Sequence, residues 1–129
     1  MTSGEDIRLP FAQRLRQALS DANLDASGEL MDDHVTWGDV NDPRGCRNRR
    51  DVLATFARRR DQGVSGAVTE FITGPQGILA VLSVRWPAAH SRAAKQTAYQ
   101  VYVVRNELIV EVRGFDDRES ALSALSMIS

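Results

Sequence analysis

The sequence predicts an α+β fold in which helices cover one side of a curved antiparallel sheet. Apolar residues recur at helical spacing in the first half of the chain, whereas the second half alternates with a period of two and is rich in β-branched and aromatic residues. The connections between the later strands are short, which favours antiparallel pairing. We therefore expect one domain over residues 1–129, with helices first and a long sheet after them.

Three helices are predicted before the sheet. Residues from about 8 to 21 form an amphipathic pattern, and a short second helix follows with Met31 on its apolar side. Asn48 and Asp51 have the spacing of a capping box, which predicts the start of a third helix that runs to about Asp61.

Five strands are predicted, with turns or loops between them. They span residues 34–40, 64–73, 78–86, 97–104 and 108–115. Turn-favouring residues at 41–45 end the first strand, and residues 105–107 form a tight connection between the last two. Residues 87–94 are a longer loop. Asp116 and Glu119 repeat the capping-box spacing before a closing helix.

The composition favours a small-molecule or protein partner. The 16 Lys and Arg residues nearly cancel the 17 Asp and Glu residues, so we expect no nucleic-acid partner. Cys46 is the only cysteine, which excludes an internal disulfide and a cysteine-rich metal cluster. His34 and His90 lack ligand-spaced neighbours and no phosphate-binding glycine loop is present, so we expect neither metal nor cofactor.

The start of the chain is polar and acidic, and no apolar run is long enough to span a bilayer. These features predict a cytoplasmic protein without membrane attachment.

Residues 34–39 carry the first functional signal. Strand alternation turns Trp37 and Asp39 to the same side as Val35, so an aromatic ring and a carboxylate share one face. If that face looks into a closed sheet, the apolar surroundings raise the pKa of Asp39 and suit it to proton transfer. The alternative is an exposed Asp39 that starts the turn at 41–45.

Two stretches, together with the order of the elements, resemble the nuclear transport factor 2-like superfamily in its SnoaL-like and ketosteroid-isomerase-like branch. Residues 30–39 contain a leucine, an acidic pair, a strand, a tryptophan and an aspartate, and residues 107–122 run from a final strand into an Asp-Arg-x-x-Ala-Leu tail. The resemblance implies a cone-shaped α+β barrel whose interior holds a small hydrophobic ligand, commonly in a homodimer. Members include isomerases, polyketide cyclases, epoxide hydrolases and dehydratases.

The resemblance also implies site residues. Asp39 falls within one residue of the isomerases' catalytic base, and Gln100 falls near their second carboxylic acid. A glutamine amide donates a hydrogen bond but delivers no proton, so steroid isomerisation is not expected. For an isomerase, cyclase or dehydratase acting on a carbonyl substrate, we expect Asp39 as the acid–base group and Gln100 or Tyr102 as the donor to the developing oxyanion. Trp37 would wall the pocket.

Arginines supply two further hypotheses. Arg85 and Arg113 lie mid-strand, where burial requires a carboxylate from the protein or the substrate, and we assign Arg113 to substrate binding. Seven arginines between Arg44 and Arg60 form either a site for phosphates or an acidic partner, or a solvated helix face. Besides an enzyme, the sequence is compatible with a non-catalytic small-ligand binder and with a dimeric interaction module.

Overall fold

Six strands form one curved, unclosed sheet in the computed structural model, which describes residues 9–21, 23–39, 42–85 and 97–128. Within these ranges the helices are α1 (Leu9–Asp21), α2 (Leu24–Glu29), α3 (Arg49–Asp61) and α4 (Arg118–Met127). The strands are β1 (Met31–Asp39), β2 (Asp42–Cys46), β3 (Ser65–Thr73), β4 (Gly77–Arg85), β5 (Thr97–Arg105) and β6 (Leu108–Phe115). The predicted α+β class with a curved sheet is confirmed.

The sheet is mixed, which corrects the expectation of an antiparallel sheet throughout. The strand order is β2-β1-β6-β5-β4-β3, and β1 pairs with β6 in parallel while every other pair is antiparallel. Short connections between β3 and β4 and between β5 and β6 enforce antiparallel pairing, as predicted. β1 and β6 are joined through α3 and four other strands, and so long a connection also permits a parallel pair.

The predicted turn at 41–45 is wrong for its described part, because residues 42–46 form the edge strand β2. An edge strand tolerates Pro43, since only one side of it donates to the ladder. Gly45 is required here, because a Cβ at this position would clash with the backbone carbonyl of Trp37. Residues 40 and 41 lie outside the described part, as do the predicted loop at 87–94 and His90.

The helix ends follow local capping. The Asn48 side chain accepts a hydrogen bond from the Asp51 backbone N–H at 2.8 Å, which confirms the predicted start of α3. α2 ends one residue before Leu30, and Met31 opens β1 instead of completing a helical face. α4 is capped by Asp117, whose carboxylate accepts from the Ser120 N–H at 2.7 Å; the predicted cap at Asp116 is one residue early.

Helices cover both faces of the sheet, which corrects the expectation of helices on one side. We call the two surfaces the three-helix face and the α4 face. The three-helix face packs against α1, α2 and α3 around Leu15, Met31, Val35, Val52, Ile78, Tyr102, Ile109 and Val112. The α4 face packs against α4 around Leu79, Val81, Val101, Val103, Ala121, Leu125 and Ile128.

The hairpin between β5 and β6 fixes the register of the sheet's centre. Asn106 and Glu107 both have positive φ, at 54° and 61°, as a two-residue turn that matches the twist of its strands requires. This confirms the tight connection predicted at 105–107. None of the described helices has the length and apolar character needed to cross a membrane.

An ion pair ties the start of α4 to β3. Arg118 binds the Glu70 carboxylate through two hydrogen bonds, Nη2 to Oε2 at 2.6 Å and Nε to Oε1 at 3.0 Å. These bonds and the charge of Arg118 lower the pKa of Glu70 below its ordinary value of 4.5. The pair therefore stabilises the fold above about that pH, and this stabilisation is lost as the pH falls through the lowered pKa.

Glu70→Gln is expected to lower the urea midpoint at pH 7 and to have progressively less effect as the pH is lowered below 4.5, because the wild-type carboxyl is then protonated as well. Urea unfolding at a series of pH values measures this. Glu29→Gln is the control, since its 3.9 Å pair with Arg14 is highly exposed. A Glu70→Gln deficit that stays constant across the series would contradict the assignment.

Candidate functional site

A polar pair lies in the otherwise apolar core of the three-helix face. Tyr102 is fully buried, Gln100 is 8% exposed, and both are on the interior strand β5. The Tyr102 hydroxyl donates a hydrogen bond to Oε1 of Gln100. Burial raises the pKa of Tyr102, so the phenol stays neutral at physiological pH and keeps its proton for this bond.

Alternation along β5 is as predicted from the sequence. Tyr102 and Val104 pack in the three-helix core, whereas Tyr99, Val101 and Val103 belong to the α4 core. The hydrogen bond to Tyr102 places the Gln100 amide on the three-helix side as well.

Gln100 retains a donor that the protein does not use. Its Oε1 is taken by Tyr102, and within the described ranges no group accepts from its amide nitrogen Nε2. In the described ranges the one buried side-chain polar atom without a partner is Oε1 of Gln76, so Nε2 of Gln100 keeps some contact with solvent. A ligand oxygen can accept a hydrogen bond from it. The Tyr102 proton is already committed to Gln100, so within this pair the N–H donor that is left belongs to Gln100.

The register of the sheet lines up Asp39 with Gln100. Asp39 on β1 is paired with Gly114 on β6, and Gly114 is paired with Gln100 on β5. Two strand spacings separate the backbones of Asp39 and Gln100, which is about 10 Å. The residue between them on β6 is Gly114, which has no side chain, so no side chain of β6 lies between positions 39 and 100.

Trp37 lies against the three-helix core and is half-buried. Its ring meets the Phe56 ring of α3 edge-on, with centroids 5.0 Å apart. Its register partner on β6 is Val112, which in turn is paired with Tyr102. Trp37 therefore stands in the row next to that of Asp39, at the side of the sheet covered by α3.

Arg113 is not brought together with these residues. It is paired across β5 with Val101, a residue of the α4 core, and so lies in a row of the opposite face. Its Nε donates to Glu111 at 2.7 Å, and this hydrogen bond raises the pKa of Arg113 further. The carboxylate partner expected for a mid-strand arginine is therefore Glu111 of the protein itself, two residues away on the same strand. Arg85 is exposed.

Two cation–ring contacts on the three-helix face were missed by the sequence analysis. The guanidinium carbon of Arg59 lies 5.2 Å from the Trp37 ring centroid, and that of Arg16 lies 5.9 Å from the Phe71 ring centroid. Phe56 and Arg59 are one helical turn apart in α3, and this spacing could have indicated that Arg59 lies near the same aromatic residues as Phe56. The register of β3 is irregular between Val68 and Glu70, so simple alternation along the strand does not predict on which face of the sheet Phe71 lies.

The remaining arginines of the 44–60 stretch are partly neutralised. Arg49 pairs with Asp33 at 2.6 Å, and Arg60 contacts Asp61 at 3.6 Å. Arg50 and Arg58 are exposed. Across the described residues, no group of three or more His, Cys, Asp and Glu side chains is arranged to hold a metal ion.

No family model and no curated protein sequence matches the chain. Solved structures do. One protein from Kribbella flavida, described as a candidate ketosteroid isomerase, has a TM-score of 0.68 at 12% identity over 84% of this chain and 76% of its own. A SnoaL-like protein of unknown function from Burkholderia thailandensis has a TM-score of 0.63 at 18% identity, covering 85% and 97%. An epoxide hydrolase from Mycobacterium tuberculosis has a TM-score of 0.61 at 13% identity, covering 98% of this chain and 92% of its own.

These similarities define the class of fold. The chain has the curved-sheet α+β fold of the nuclear transport factor 2-like proteins, and the resemblance seen in residues 30–39 and 107–122 is confirmed at that level. At these identities the similarity extends to the fold alone, and the activity has to be argued from the site.

Tyr102→Phe is expected to destabilise the protein by about 1–3 kcal/mol, because it leaves Oε1 of Gln100 buried without a donor. Adding Gln100→Leu removes both partners, so the double variant should lose clearly less than the sum of the single losses. Urea unfolding of the four proteins measures the coupling. Tyr99→Phe, on the other face, is the control and should change stability little. Additive effects would contradict the buried bond.

Proposed function

We propose that this chain is a small-molecule enzyme of the SnoaL-like type that performs acid–base chemistry on an apolar carbonyl compound. The observation that carries the proposal is the unused amide donor of Gln100, in register with Asp39 across a glycine. Similar folds among proteins described as an isomerase and an epoxide hydrolase support the class of chemistry. As in many proteins of this fold, we propose that two copies form a homodimer.

The proposed reaction begins with proton transfer to Asp39. The Asp39 carboxylate removes a proton from the carbon next to the substrate carbonyl, and the C–H electron pair moves into the carbonyl to form an enolate. The Gln100 Nε2–H donates to the enolate oxygen and stabilises its negative charge. Where a C=C bond is conjugated with the enolate, Asp39 returns its proton to the far carbon of that bond, which isomerises the substrate. Alternatively, the enolate carbon attacks a second carbonyl and closes a ring, and Asp39 gives its proton to the alkoxide oxygen that this attack forms.

The apolar neighbours of Gln100 set the kind of substrate. Ala80 is its register partner on β4 and is fully buried, and half-buried Ala98 lies two residues before it on the same strand. Small apolar side chains beside Gln100 suit a flat apolar ligand, and in this proposal Trp37 forms a wall at one side. We therefore propose a hydrophobic, ring-containing carbonyl compound as the substrate class.

Asp39→Asn is expected to abolish catalysis, with a loss of at least about a hundredfold, because an amide accepts no proton at neutral pH. The assay is deuterium incorporation next to the carbonyl of 2-tetralone in D2O, followed by proton NMR. Binding of 2-naphthol, which resembles the enolate, should change little in this variant.

Asp33→Asn is the matched control, because it makes the same chemical change on the same strand at an exposed position paired with Arg49. It should keep full exchange activity. Exchange that survives Asp39→Asn, or that is lost equally in both variants, would contradict the role of Asp39.

A non-catalytic binder is the second candidate, and Gln100 favours it because its side chain delivers no proton. A binder would take up 2-naphthol with a Gln100-dependent affinity and show no exchange of 2-tetralone above the buffer rate. Gln100→Leu should weaken 2-naphthol binding about tenfold or more under either candidate. Unchanged binding in Gln100→Leu would contradict both.

A further inference from the structure

Two arginines rest on aromatic rings at opposite sides of the three-helix face. Arg59 of α3 stands over Trp37 of β1, at 5.2 Å, and Arg16 of α1 stands over Phe71 of β3, at 5.9 Å. Between β1 and β3 lie β6, β5 and β4, the strands that form the floor of the candidate site. The two guanidinium groups therefore flank the floor on which Gln100 is placed.

The register gives both rings a similar lateral distance from Gln100. Phe71 is paired with Ala80 and Ala80 with Gln100, so Phe71 is two strands away on the β3 side. Trp37 is two strands from β5 on the other side, in the adjacent row. Two strand spacings amount to about 10 Å. A ligand whose carbonyl meets Gln100 would therefore reach either guanidinium with a body the size of two or three fused rings.

These arginines differ from the others of the fold in their partners. Arg49, Arg113 and Arg118 each bind a carboxylate at 2.6 to 2.7 Å. In contrast, Arg16 and Arg59 are exposed, and no acidic side chain in the described ranges pairs with either.

A guanidinium held over a ring by a cation–π contact can still donate from N–H groups that do not face the ring. The contact restricts the arginine side chain, which reduces the entropy lost when a ligand binds. The edge of a guanidinium matches the two oxygens of a carboxylate, sulfonate or phosphate. If the aliphatic parts of the two arginine side chains only covered the rings, the site would show no preference for an anionic ligand.

We infer that the ligand of this site carries an oxyanion on its apolar body and that Arg16 and Arg59 recognise it at the rim, while Gln100 binds a neutral oxygen in the interior. This inference rests on the proposed function, because it adds a charge requirement to the same site. It divides the ligand into an apolar body on β4, β5 and β6 and an anionic group beside Trp37 or Phe71.

The test compares two fluorescent probes with the same aromatic body. 1-Anilinonaphthalene-8-sulfonate carries a sulfonate, and N-phenyl-1-naphthylamine is its uncharged counterpart. Both should bind the wild-type protein, the sulfonate about tenfold more tightly or better. Arg16→Gln combined with Arg59→Gln should remove that advantage and leave the affinity for the uncharged probe unchanged within about twofold.

Arg58→Gln is the matched control, because it removes one exposed charge next to Arg59 in α3. It should leave the ratio of the two affinities unchanged, and circular dichroism should show the same folded state in all variants. Because the interaction is electrostatic, the sulfonate's advantage should shrink at high salt, whereas binding of the uncharged probe should not.

The outcomes separate the inference from the proposed function. If neither probe binds, the apolar small-molecule site itself is contradicted. If both bind equally, or if Arg58→Gln lowers the ratio as much as the Arg16 and Arg59 changes do, the site stands and oxyanion recognition is wrong. Phosphate and carboxylate are then distinguished by which of naphthyl phosphate and naphthoate displaces the bound sulfonate more effectively from the wild-type protein.

Discussion

The parallel pairing of β1 with β6 is the constraint on which the candidate site depends. It brings a strand from the first half of the chain beside the C-terminal hairpin and sets Asp39 level with Gly114, and thereby with Gln100. Without this pairing the backbones of Asp39 and Gln100 would not be held two strand spacings apart. A shift of one residue would also turn Trp37 away from the three-helix core, because side chains alternate along a strand.

The core of the three-helix face accepts a polar pair that an apolar protein interior would normally exclude. Tyr102 satisfies one end of Gln100, and its own burial keeps the phenol protonated, so the pair carries no charge. The remaining amide donor has no protein partner among the described residues. Gln100 therefore has a structural role as the acceptor for the buried Tyr102 hydroxyl, and the proposed function adds a second role for its free amide N–H.

The sequence predicted what local rules determine. The period of two along β5 placed Tyr102 and Tyr99 on opposite faces, and the side-chain oxygen of Asn48 marked the start of α3. It did not predict features that depend on the assembled sheet. Residues 42–46 are a strand because β1 offers an unpaired edge, although the residues themselves favour a turn. Arg113 was assigned to the substrate, although strand alternation already puts Glu111, two residues away, on the same face; that carboxylate binds it.

The most direct measurement is a titration of the isotope-labelled protein with 2-naphthol, followed through the side-chain amide NMR signals of its glutamines. If Gln100 is the ligand-binding donor, its NH2 signals and the Trp37 indole N–H signal will move together and saturate at one ligand per chain, while the side-chain signals of Gln13 and Gln17 on the exposed side of α1 stay still. If the Gln100 signals do not move while other glutamines respond, the ligand binds elsewhere and the three-helix face is only a core.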